Sequence, residues 1–246
     1  MRSIAAFAGF ILLTAFTLYD KGWVTASVEE VDKAHAASKT FYEGKKTYSM
    51  DLTYTSYKGH DAVVPYETMQ GYYRFDNGRS HSYIQGVHTF TSGKYRMTLD
   101  SARKTMVVSD PPTAASEELM QINYTNSKQY ITACKKAVSE ASTEYRMDFN
   151  ESVNYSSYAL TFASTGQLRD ITVYYRNEFP SDPKQPGSPK VKPKLKVTFG
   201  PVIEKVQFNP AKEFDLTKYF TEAGGNLKAT SAYSTYQLID ARSRKR

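Results

Sequence analysis

From Tyr48 to Tyr175, apolar side chains keep returning at every second position, and this period constrains the fold more than any other feature of the chain. Tyr48, Met50, Leu52 and Tyr54 alternate with polar neighbours; Tyr158, Leu160 and Phe162 do the same, followed by Ile171, Val173 and Tyr175. A period of two puts each set on one face of a strand, so the pattern predicts half-buried antiparallel strands. The turn at 164–167 joins the last two sets and presents them as one apolar surface, which either packs a closed core or lines a pocket.

Turn chemistry divides the rest. Residues 68–110 read as an antiparallel meander with strands at 71–75, 79–91, 95–99 and 104–108, and Asn77-Gly78 supplies the positive φ angles of a tight hairpin. Ser27-Val28-Glu29-Glu30 is a capping box. Val28, Val31, His35 and Phe41 or Tyr42 follow at near-helical spacing, so an amphipathic helix precedes the first strand. After Pro111-Pro112, residues 116–142 are predicted mostly helical, with a break near 124–126. Residues 180–189 read as an exposed loop. In 190–196 lysines alternate with Val191, Pro193 and Leu195, the pattern of an edge strand. No period of 20 to 50 residues recurs, which excludes a solenoid or propeller.

The ends bound the compartment. Arg2, the apolar run from Ile4 to Leu18 and the small or β-branched Val24-Thr25-Ala26 read as a secretory signal peptide at 1–26, cleaved after Ala26, the alternative being an uncleaved anchor with Tyr19 and Trp23 at the membrane interface. Cys134 is the only cysteine, so no lipid-anchoring cysteine follows the junction and no internal disulfide can form. The expectation is a periplasmic protein without a lipid anchor: one α+β domain at 27–241 and a basic tail at 242–246. Of the net charge of +7, much sits in the acid-free run Lys184, Lys190, Lys192, Lys194 and Lys196 and in Arg242, Arg244, Lys245 and Arg246. A nucleic-acid groove spreads basic residues over a folded face. The tail suits a solvated end or attachment to an anionic membrane surface.

Signatures of catalysis are missing. His35, His60, His81 and His88 have no metal-ligand spacing, and His81 and His88, seven apart on one predicted strand, fall on opposite faces. Glu43-Gly44-Lys45-Lys46-Thr47 lacks the glycine that opens a phosphate loop, and Asp148-Phe149-Asn150 leads to Val153 where a calcium loop turns on glycine. No Gly-x-Ser-x-Gly elbow occurs, and Cys134 reads as a buried, inert thiol. The reading is therefore a non-enzyme with no catalytic residues, metal or cofactor.

Phe162-x-x-x-Gly166-x-Leu168-x-x-Ile171 resembles the glycine-turn hairpin of the periplasmic lipoprotein carriers of the LolA/LolB type. Ser92-Gly93-Lys94-Tyr95, Leu99-Asp100 and the strand at 104–108 resemble that family's meander, with Arg74 or Arg79 in place of its arginine beside the lid. The resemblance implies a strongly curved antiparallel sheet, an incomplete barrel closed by helices, whose cavity holds lipid or lipoprotein acyl chains in outer-membrane biogenesis. On that reading Met50, Leu52, Tyr54, Tyr158, Leu160, Phe162, Ile171, Val173 and Tyr175 form the cavity wall. The alternative is an envelope interaction module with a packed core, working through its basic edge strand and tail. The role of residues 217–246 stays open.

Overall fold

The computed structural model describes residues 22–111, 127–182, 185, 187–205 and 207–243. In chain order the elements are β1 (Val24–Thr25), α1 (Val28–Glu43), β2 (Thr47–Tyr57), β3 (Glu67–Asp76), β4 (Arg79–Ile84), β5 (Val87–Thr91), β6 (Arg96–Asp100) and β7 (Thr105–Ser109). Next come β8 (Ile131–Val138), β9 (Ser142–Phe149), β10 (Tyr155–Ala163), β11 (Leu168–Tyr175), β12 (Phe179–Pro180), β13 (Lys190–Val191) and β14 (Lys194–Phe199). Helix α2 (Pro210–Glu213), β15 (Phe220–Ala223), β16 (Asn226–Ala229) and β17 (Gln237–Asp240) complete the described chain.

One 13-stranded sheet dominates, in the order β1-β8-β9-β10-β11-β14-β2-β3-β4-β5-β6-β7-β17, and it ends at β1 and β17 without closing. Neighbours are antiparallel except at one edge, where β17 runs parallel to β7, so the sheet is mixed rather than wholly antiparallel. The meander forms because its turns demand it: Asn77 and Gly78 take φ of 47° and 82°, the left-handed geometry that matches strand twist.

Register shows which face each strand buries. Met50, Tyr73 and Leu52 share a side with Phe199, Val197 and Ile171 across β3, β2, β14 and β11. This side carries a core cluster that includes Val31 and Tyr42 of α1. From β4 onward the buried apolar residues switch sides. Arg74 pairs with His81, His81 with Phe90, Phe90 with Met97 and Met97 with Val108, all opposite to Tyr73. A second cluster forms there with Tyr219 and Phe220. The strap at 207–243 therefore covers one face of the sheet and α1 the other. Closure by helices was expected; among the described residues α1 is the only helix longer than four residues, and the strap is irregular chain and short strands.

Three further expectations change. Part of the stretch predicted helical is strand: Ile131 to Val138 pairs along β9, and ladder formation outweighs the helix preference of its alanines and lysines; residues 116–126 lie outside the described residues. The single strand predicted at 79–91 is two, because Gln85 and Gly86 take φ of 44° and 79° and fold it into a hairpin. The expected lysine edge strand at 190–196 is split: Lys190–Val191 is β13, paired among the described residues only with β12, while β14 from Lys194 is interior, hydrogen-bonded to β11 on one side and β2 on the other. Pro193 is tolerated because it lies just before the ladder, where its carbonyl accepts from the Tyr175 N–H.

Candidate functional site

All nine residues of the sequence-derived wall lie on the α1 face. Leu160 pairs with Ile171 and Tyr158 with Val173, while Met50, Leu52 and Tyr54 follow in register through β14. Leu160 is 1% exposed and Phe162 4%. Tyr54, Val173 and Tyr175, toward the other end of the strands, are half-buried.

Helix α1 is fixed over this surface at its N-terminal end. Ser27 Oγ accepts from the Glu30 N–H while the Glu30 carboxylate accepts from the Ser27 N–H, a completed capping box. Glu30 also pairs with Lys136, and Asp32 with Lys128 at 2.6 Å, which anchors the first turns to β8 and the turn before it. Before α1, Val24 and Thr25 pair with Lys136 and Lys135, so the expected cleavage after Ala26 would remove β1.

The inward stripe of α1 is unusually polar. Val31, His35, Ser38 and Tyr42 follow at helical spacing, and Val31 and Ser38 are both fully buried. The His35 ring meets Phe162 edge-on at 5.5 Å between centroids, and burial lowers its pKa to about 4, so the imidazole is neutral at pH 7. Ser38 Oγ finds no hydrogen-bond partner among the described residues. Burial likewise raises the phenol pKa values of Tyr42, Tyr48 and Tyr158, leaving neutral hydroxyls among apolar neighbours. The arrangement offers apolar contact and neutral hydrogen-bonding groups. Among the described residues no cluster of His, Cys, Asp or Glu is arranged to hold a metal, and no helix is long and apolar enough to cross a membrane.

The opposite face carries the charged groups that sequence reasoning missed. Because of the 85–86 hairpin, His81 and His88 share a face, with His81 Nε2 3.0 Å from His88 Nδ1, contrary to the expectation of opposite faces. Glu213 of α2 lies 2.5 Å from His81 Nδ1 and accepts from Arg74 at 2.6 Å. Arg79 pairs with Asp76. The signal that could have exposed this face was the second alternation, Phe90, Met97, Leu99, Met106 and Val108, which needs a cover of its own.

Of the basic tail, Arg242 is described and is engaged within the fold. It binds Glu222 at 2.5 Å, Asp240 at 2.7 Å and the Gly225 carbonyl at 2.8 Å. Arg244, Lys245 and Arg246 lie outside the described residues. Cys134 lies on β8, and burial raises its thiol pKa to about 11, which keeps it protonated and unreactive.

No known family profile matches the chain, and neither does any curated protein. Among solved structures it is similar to a LolA superfamily protein from Nitrosomonas europaea, at 11% identity over 78% of this chain and 97% of that one, with a TM-score of 0.33. It is also similar to the lipoprotein LppX of Mycobacterium tuberculosis (11% identity, 74% and 100% covered, TM-score 0.39). A third similar structure is a DUF1329 family protein from Desulfovibrio piger (8% identity, 76% and 98% covered, TM-score 0.36).

Proposed function

We propose that this is an exported, non-catalytic protein that binds a lipid or another ligand with an apolar chain between α1 and the sheet. The observation that carries the reading is Ser38, whose hydroxyl is fully buried with no hydrogen-bond partner among the described residues, on a helix face that otherwise meets apolar and aromatic side chains. A buried hydroxyl left unmatched costs about 1–3 kcal/mol. A ligand carbonyl or hydroxyl beside His35 and Ser38 would recover that cost, with its chain running along Phe162, Leu160 and Ile171 toward the half-buried Tyr54 and Val173. The periplasm is the compartment that the signal-peptide pattern supports, and carriage of acyl chains between membranes is the role that the hairpin resemblance suggests.

A second reading has its own support. The near-complete burial of Met147, Leu160 and Leu168 suits a core already filled by side chains, and function would then lie on the surface. Titration with a fluorescent fatty-acid probe separates the two. The proposal expects saturable uptake by the wild type and at least tenfold weaker uptake in Ser38→Ala, which removes the hydroxyl without adding bulk. Absence of uptake in a folded wild type supports the filled core.

A further inference from the structure

We propose that His81, His88 and Glu213 form an acid-sensitive latch that holds the C-terminal strap, residues 207–243, on the sheet face opposite α1. The strap covers Phe90, Met97, Leu99, Met106 and Val108 with Tyr219 and Phe220. At its N-terminal end Asn209 caps α2 by accepting from the Ala211 and Lys212 N–H groups, and this short helix delivers Glu213 to the sheet. There one carboxylate oxygen meets both Arg74 and His81.

The proton count makes the contact conditional. Ionised Glu213 accepts from His81 Nδ1–H; the neutral ring then has a bare Nε2, which accepts from His88 Nδ1–H at 3.0 Å. A second proton on His81 forces His88 onto its other tautomer, with the proton on Nε2, and places a cation beside Arg74. His81 has little room to turn away. Its ring stacks on Phe90 at 3.9 Å and on His88 at 5.2 Å, and Tyr72 meets it edge-on at 5.2 Å.

The surrounding groups act in the same direction. Facing the pair are Arg74 and Tyr72 from β3, Tyr83 from β4, Glu213 from α2 and, beyond it, Lys218 and Tyr219. Burial lowers the His81 pKa to about 4 against the attraction of Glu213, and burial also lowers that of His88. The docked strap thus binds fewer protons than the released one, and docking weakens as pH falls from about 6.5 toward 4. His81 and Arg74 hold the Glu213 carboxyl below its usual range despite its burial, so its protonation at still lower pH removes the acceptor as well. Released, the strap leaves an apolar sheet face open to water.

Hydrogen exchange of the full chain, read as protection factors for the amides of β15 to β17 against those of β9 to β11, tests the latch. In the wild type, strap protection should fall on the order of a hundredfold further than that of β9 to β11 between pH 7 and pH 4. His81→Asn keeps an N–H donor near the Nδ1 position but does not titrate, and should shrink the acid response to the part that His88 and Glu213 supply. Glu213→Gln removes the charge and should loosen the strap already at pH 7. The proposal is overturned if wild-type strap protection is flat with pH, if the sheet core loses as much protection as the strap, if the acid response is undiminished in His81→Asn, or if Glu213→Gln behaves as the wild type.

Discussion

Replacing Phe162 with alanine probes the contact on which the α1 face depends. The ring is 4% exposed, lies edge-on to His35 of α1 at 5.5 Å and to Tyr145 of β9 at 6.2 Å, and sits beside the fully buried Leu160. Removing a phenylalanine from such a setting costs about 3–5 kcal/mol, the sum of lost transfer energy and the space left behind. The neighbours have little freedom to close that space: β10 is hydrogen-bonded to β9 and β11, and α1 is held at its start by the cap and the Lys128 and Lys136 pairs. For a chain of this size the loss corresponds to roughly 6 to 20 °C in Tm. Urea denaturation should show a lower midpoint with an unchanged slope. A double-mutant cycle with His35→Ala should return about 0.5–1.5 kcal/mol of coupling for the edge-on rings. A loss below about 1 kcal/mol, or no coupling, would refute the packing of α1 against Phe162.

Other perturbations test separate parts of the structure. Gly71→Ala would bring its Cβ to 2.3 Å from the Tyr83 carbonyl oxygen, so β3 and β4 must part, at about 1–3 kcal/mol by denaturation. His35 is buried neutral with a pKa near 4. The folded state therefore takes up its proton later than the unfolded chain, and stability should fall by on the order of 2 to 3 kcal/mol from pH 6.5 to pH 4. His35→Gln should flatten that part of the profile, and an unchanged slope contradicts the burial of the ring. Arg242→Ala cuts the ties to Glu222, Asp240 and Gly225, so the amides of β15 and β16 should lose exchange protection before those of β9 to β11. Equal protection in variant and wild type would leave Arg242 a solvated residue of the tail.

Where local chemistry and tertiary structure agree, the sequence was readable. The capping box at Ser27, the Asn77-Gly78 turn and the alternation in β2, β10 and β11 each follow from side chains acting on their own backbone, and the structure places the nine wall residues on one face as that alternation requires. Local signals failed where distant partners decide. Ile131 to Val138 carries residues that suit a helix, and only its ladder with β9 makes it a strand. Gln85-Gly86 is a weak turn signal, and missing it separated two histidines that lie in contact. Ser38 escaped notice because a lone serine on a helix reads as surface, although Val31, His35, Ser38 and Tyr42 form one stripe at helical spacing. The strap has no period of its own; it was detectable only as the missing cover for the second apolar face.

The claim that α1 and the sheet enclose the ligand is tested most directly by photo-crosslinking. A fatty acid carrying a photoreactive group on its chain would be equilibrated with the full chain, irradiated, and the labelled peptides read by mass spectrometry. The account predicts label on residues 28–43 and on residues 155–175, suppressed by excess unlabelled fatty acid. Saturable label confined to other segments, or none above that on a denatured control, would contradict it.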